Sequence, residues 1–186
     1  MHRRTIVRLY HLAEEGNLPS IERDGLFSTS QLLDRAGVHG DDRDRLERHQ
    51  RRSRTVLPGG VIIRDQLPMP PAALSRCLID SITPQDWYAL INTMVFFWLD
   101  LERLARQARA CQPWPQLVLE LDAERLLSRR AGQAFVTPIN TGNARRRPAA
   151  RGRASFVPFH AWRESGWSHE STALGVAMRP ATHPPV

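Results

Sequence analysis

The sequence predicts an α+β domain, for two reasons. Candidate helices crowd the first two-thirds of the chain and candidate strands the last third, so the strict alternation of a βαβ fold is missing. The apolar pattern also changes period: Trp87, Leu90, Ile91 and Met94 recur at helical spacing, whereas 117–121, 134–137 and 155–159 are short apolar runs bounded by turn residues. With 186 residues, 41% of them hydrophobic and 24% charged, the chain can bury one core without staples. Residues 1–178 read as a single domain and the proline-rich 179–186 as a frayed tail.

The first element is a strand over 5–10, where Thr5, Ile6, Val7 and Tyr10 supply β-branched and aromatic side chains, with His11 at its end. Asn17 is placed to cap a short helix that carries Pro19 in its first turn and Ile21 on its inner face. Gly25 suits the left-handed position that stops such a helix. Ser28 or Thr29 caps a second helix through Leu32, Leu33 and Ala36 to Gly37. Residues 41–54 are nearly all polar, with acids first and bases last, as the helix dipole favours; an exposed helix and a mobile insertion both fit.

Val61 to Arg64 forms a short strand, and Pro68, Pro70 and Pro71 interrupt the chain before a helix over 71–79. Thr83, Pro84 and Asp86 give cap, first-turn proline and an acid three past the cap, which starts the helix bearing Trp87 and Met94. Val95 to Trp98 follows as a strand, and Asp100 caps a helix over 101–110. The remaining strands are 117–121, 134–137, 155–159 and 170–177, and 139–153 is loop by composition.

The charge pattern excludes some chemistry. All 26 basic residues are arginine, so any mechanism built on a lysine is absent: a phosphate-loop lysine, a Schiff base or a kinase-type ATP lysine. Nine of those arginines fall within 125–163, a stretch without Asp or Glu, which leaves 17 arginines against 19 acids elsewhere. The net charge of +7 is therefore local to that segment. Either an anionic partner such as DNA or RNA docks there, or the arginines form a solvated loop. The opening Met1-His2-Arg3-Arg4 meets the first strand with no apolar signal region, and no run of about 18 apolar residues offers a membrane span. The chain reads as cytoplasmic.

Cys77 and Cys111 make neither a disulfide framework nor a zinc site, and His160 with Glu164 lacks an aimed third ligand. Ser165 lies outside a nucleophile elbow, because its flanking positions lack the required glycines. No spaced-glycine dinucleotide fingerprint occurs.

The segment YHLAEEGNLPSIERDGLFS (10–28) resembles the opening of the ADP-ribosyltransferase fold: a strand ending in His, a helix of the form N-L-x-x-I, then G-L-x-S. The closest likeness is to DarT-type nucleic-acid ADP-ribosyltransferases and a sister family of uncharacterised bacterial proteins. Val95 to Trp98 followed by Asp100 is similar to the family's second segment, with Phe96 in place of its tyrosine. His169-Glu170 to Val176 is similar to its late strand, which a catalytic glutamate opens. The resemblance implies split antiparallel sheets around an NAD cleft with outer helices. It implies NAD as co-substrate, with His11 on the adenosine-side ribose and Glu170 as the catalytic carboxylate.

Asn17, Gly25, Leu26, Phe96 and Phe97 come to the cofactor with the matched segments. The pyrophosphate needs arginine donors, and Arg64, Arg51, Arg52 and Arg54 are available, with Arg64 placed first. Asn140, Arg145, Arg146, Arg147 and Arg151 would meet the acceptor. The implied activity is ADP-ribosyl transfer to a nucleic-acid base or a protein side chain, in a toxin or defence effector with an antitoxin or immunity partner. The alternatives are a non-catalytic nucleotide- or partner-binding member of the fold, and an RNA 2′-phosphotransferase.

Overall fold

The structure, a computed structural model, describes residues 8–137, 139, 141–145, 148–164 and 175–178, the side chains of 163, 164 and 175–178 excepted. Strand β1 (Arg8–Glu14) leads into a 3-10 turn and helix α1 (Leu18–Asp24). Helices α2 (Thr29–Arg35) and α3 (Gly40–Arg48) follow, then a hairpin of β2 (Thr55–Val56) and β3 (Ile62–Ile63). Helices α4 (Pro71–Ser75) and α5 (Pro84–Asn92) precede β4 (Val95–Trp98), α6 (Leu101–Ala110), β5 (Gln116–Asp122) and α7 (Ala123–Arg130). The chain closes through β6 (Ala134–Thr137), β7 (Val157–Pro158), α8 (Phe159–Glu164) and β8 (Gly175–Met178). This is the expected α+β class.

Six strands run in the order β5-β1-β4-β8-β6-β7, every neighbouring pair antiparallel. The expected split pair of small antiparallel sheets is met by this six-stranded sheet, which has a weak joint, and by the separate two-stranded hairpin of β2 and β3. β1 pairs with β5 along its whole length, Arg8↔Asp122 to Glu14↔Gln116, whereas it meets β4 at the single position Tyr10↔Trp98. Past that position the two strands part, and the opening between them frames the cavity described below.

Alternation along β4 faces its side chains both ways. Phe96 packs with the cluster of Met69, Leu74, Trp87, Tyr88, Ile91 and Phe156 under α4 and α5. Val95 and Phe97 join Leu9, Leu127, Val136 and Phe159 under α7 and α8. A third cluster, Leu33, Leu46, Leu57 and Ile63, ties α2 and α3 to the hairpin. No helix among the described residues is long and apolar enough to cross a membrane.

Local caps fix several boundaries where the sequence places them. Ser28 Oγ accepts from Gln31 N–H at 3.3 Å while the Gln31 side chain accepts from Ser28 N–H, a full capping box. Ser28→Ala is expected to cost about 1 kcal/mol, read as a shift in urea midpoint. An unchanged midpoint would show that neighbouring donors replace the hydroxyl. Thr83 with Asp86 forms the same box on α5, and Asp100 Oδ1 accepts from the N–H groups of Glu102 and Arg103.

Other elements depart from the sequence reading. β1 does not end at His11; Leu12, Ala13 and Glu14 continue it because β5 offers partners as far as Gln116. Asn17 does not cap α1, since its amide is held by Ile62 on β3. Residues 40–48 form an ordered helix, anchored by buried Leu46 and by Arg48 on Asp86 at 3.1 Å. Helix α4 stops at Ser75, and Asp80 and Ser81 adopt left-handed backbone beyond it.

Helix α7 is not among the expected elements, although Asp122 caps it through Arg125 N–H at 2.8 Å. The expected strand over 155–159 is only Val157–Pro158, with a 3-10 turn before and α8 after. The last strand is described from Gly175, so 170–174 and the tail 179–186 lie outside the described residues.

Candidate functional site

Where β1 and β4 diverge, the structure holds a cavity of about 340 Å³. Its walls come from β1, the α1–α2 turn, the hairpin strand β3, α5 and β4, with Thr137 and Thr141 at one end. Seven residues singled out in sequence border this one cavity: His11, Asn17, Gly25, Leu26, Arg64, Phe96 and Phe97. Four of them fall within 11–26, whereas Arg64, Phe96 and Phe97 come from much later in the chain, so sequence proximity alone does not bring the set together. Gly25 turns the chain at φ 91° after α1, a conformation that suits glycine, and delivers Leu26 to the wall.

His11 occupies the parting itself. Its Nδ1 lies 2.9 Å from the main-chain oxygen of Phe96. A carbonyl oxygen only accepts, so Nδ1 carries the proton and Nε2 keeps its lone pair. Burial, opposed by that hydrogen bond and aided by the Arg64 charge, lowers the His11 pKa below the ordinary histidine value. The ring is therefore neutral at pH 7, with Nε2 an acceptor. It stands tilted against Phe97, ring centres 5.8 Å apart.

Asn17 borders the cavity, but both ends of its amide are engaged. Nδ2 donates to Ile62 O and Oδ1 accepts from Ile62 N–H, each at 2.8 Å, which copies a strand pairing and locks α1 to the hairpin. Asn17 therefore shapes the wall. Arg64 is also held from within the chain: it pairs with Glu14 at 3.3 Å, donates to Gln116 Oε1 at 2.7 Å and points Nη1 at Cys111 Sγ, 3.5 Å away. Glu14 is 4% exposed and takes a second arginine, Arg54, at 3.1 Å.

Sequence reasoning missed Glu14. Its partners lie 40 and 50 residues away, and no local pattern signals that pairing. It also left Arg51 undistinguished among four arginines. Arg51 is 8% exposed and lines the cavity beside Asn92 and Gln66, themselves 4% exposed. Its guanidinium donates to the carbonyls of Leu46 and Arg64 and to Asn92 Oδ1. Among the described residues it has no carboxylate within ion-pair distance. Burial pulls its pKa down to about 10, against a weaker opposing influence of Asp65.

The acceptor residues proposed from sequence are not gathered here. Arg151 is 1% exposed and donates to the carbonyls of Thr141, Asn143 and Ala149, stapling its own loop. Arg145 is exposed and does not border the cavity, while Asn140, Arg146, Arg147 and Glu170 lie outside the described residues. Cys77 is buried on α4's exit, and Cys111 is half-buried. Among the described residues no three His, Cys, Asp or Glu side chains stand together as a metal site.

A family model described as "Family of unknown function (DUF7002)" matches residues 7–184. The chain belongs to the DUF7002 family. Comparison with curated proteins and with solved structures gives no match. For this DUF7002 member the match spans β1 through β8, so the cavity and every element bordering it fall inside the family's extent.

Proposed function

We propose that this protein is an NAD-dependent ADP-ribosyltransferase with an ADP-ribosyltransferase-like fold. The observation that supports this best is the cavity at the β1–β4 parting, where all seven residues expected around the cofactor meet. Its size falls at the lower end of the range of small-molecule sites, about 300–1,000 Å³, and its lining combines apolar wall with polar and charged groups.

The chemistry assigns roles. His11 Nε2, held unprotonated, accepts a hydrogen bond from a ribose hydroxyl. Phe96 offers an apolar ring face to nicotinamide, without the hydroxyl of a tyrosine. Arg51 and Arg64 set two positive charges against the one of Glu14, which favours a pyrophosphate. In the reaction the bond from ribose C1′ to the nicotinamide nitrogen breaks, and nicotinamide leaves with the electron pair. The acceptor bonds to C1′ and gives up its proton. A carboxylate near C1′ stabilises the oxocarbenium charge that develops; Glu170 is the residue proposed for it.

A nucleic-acid acceptor is favoured by exposed Arg125, Arg129, Arg130, Arg145 and Arg153 in the basic segment.

Calorimetry with NAD tests the reading. Wild type is expected to bind, and His11→Ala to weaken binding by about 1–3 kcal/mol, because a ribose hydroxyl loses its buried acceptor. No binding of NAD by the folded wild type would remove the proposal. Binding without any release of nicotinamide, across nucleic-acid and protein acceptors, would assign a nucleotide-binding member of the fold, the reading that Phe96 favours.

A further inference from the structure

Arg51 also lines a second, smaller hollow of about 250 Å³, bordered by Arg45, Gln50, Arg52, Ser53 and Thr55 at the exit of α3. Three arginines and no Asp or Glu border it among the described residues. The segment that builds it is fixed from behind. Arg51 N–H donates to Gln66 Oε1 at 3.2 Å, Gln66 N–H donates to Arg51 O at 2.7 Å, and Gln50 Nε2 donates to Gln66 O at 3.1 Å. Binding there needs little ordering of the backbone.

The three arginines differ in what they have free. Arg52 is exposed and makes no hydrogen bond or ion pair among the described residues. Arg45 pairs with Asp42 at 2.9 Å, but both side chains are well exposed, so that pair is weak and exchangeable. Arg51 has five N–H donors, and the three bonds described above leave two of them. A buried cation with no carboxylate within ion-pair distance favours an anion beside it. Ser53 and Thr55, which carry hydroxyl groups, also border it.

We propose that this hollow binds a phosphate group, carried by a nucleotide or by a polynucleotide backbone, with Arg45 and Arg52 closing on it and the buried Arg51 as its fixed charge. A tetrahedral phosphate presents oxygens in several directions and can meet three guanidinium groups. A carboxylate carries less charge and presents its two oxygens in one plane, so it meets three guanidinium groups less completely. The hollow shares Arg51 with the larger cavity, whereas Arg45 and Arg52 border the hollow alone, so variants at those two positions test it whether or not the cavity takes NAD.

Calorimetry on the full chain at low salt tests it, using inorganic phosphate, a nucleoside 5′-monophosphate and a short single-stranded oligonucleotide, with acetate at equal ionic strength as control. Saturable binding of the phosphate probes is expected. Loss of a charged hydrogen-bond donor should weaken it about tenfold in Arg52→Ala, further in the Arg45→Ala/Arg52→Ala double variant, and less in Arg52→Lys. Both positions are exposed, and circular dichroism checks that the variants fold.

An oligonucleotide that binds much more tightly than phosphate, with steep loss on adding salt, assigns the polynucleotide source. Equal affinities assign the nucleotide or free phosphate. No saturable binding of any phosphate probe would overturn the proposal. So would binding unchanged in the double variant, or acetate binding as tightly as phosphate.

Discussion

Glu14→Ala is expected to destabilise the fold by about 3–5 kcal/mol, the usual cost of removing one member of a buried charge cluster. Glu14 is almost completely enclosed, and it holds Arg54 at 3.1 Å and Arg64 at 3.3 Å, both of them three-quarters buried. Without the carboxylate, two guanidinium groups remain beside the cavity with no counter-charge. Arg54 then keeps its stacking on Trp114, 4.1 Å to the ring centre, and Arg64 its bond to Gln116. Neither contact supplies a negative charge.

Urea unfolding should show the loss as a lower midpoint with an unchanged slope. Glu14→Gln, which keeps the shape, provides the measurement should the alanine variant fail to fold, and it should also lose stability. A change below about 1 kcal/mol in both variants would mean that water reaches the two arginines and solvates them as an exposed pair.

On the proposed function, Glu170→Gln is expected to leave NAD binding nearly intact while cutting ADP-ribosyl transfer by at least about 10²-fold, the scale for removing one electrostatic stabiliser of a charged transition state. The substitution preserves size and hydrogen-bonding shape and removes the charge set against the oxocarbenium. Glu170 lies outside the described residues, and β8, described from Gly175, pairs there with Trp98 of β4 and Thr137 of β6. Labelled NAD and separate calorimetry distinguish binding from transfer. Transfer that survives in the variant would move the catalytic role to another carboxylate, with Glu164 the next to test. Lost binding together with lost transfer would make Glu170 a cofactor-holding residue.

Features that depend on a few neighbouring residues are legible in the amino-acid order alone. Ser28, Thr83 and Asp100 cap their helices because a short polar side chain next to free N–H groups has a partner within three residues. The stripe of Trp87, Ile91 and Met94 is buried because helical spacing puts those side chains on one face. Asp122 carries the same local signal for α7, with Glu124 first and Arg129 and Arg130 last, a helix that the sequence reading leaves out.

The site divides in the same way. His11, Phe96 and Arg64 can be singled out by residue type and by resemblance to a known opening motif. Their meeting around one cavity cannot, because it depends on β1 and β4 pairing only at Tyr10↔Trp98 and then parting. Asn17 shows the limit most clearly: by sequence a helix cap, in the fold a clasp on Ile62, 45 residues away.

The sequence by itself determined the α+β class, most helix starts, the absence of lysine chemistry and the concentration of basic charge in 125–163. These follow from backbone capping, apolar period and composition, all of which act over a few residues. Only the tertiary structure decided the strand order β5-β1-β4-β8-β6-β7, the enclosure of Glu14 by Arg54 and Arg64, and the turning of Arg151 inward onto its own loop. Each of those depends on which distant groups are left together once water is excluded. A buried charge or carbonyl must then take whatever partner the packing supplies.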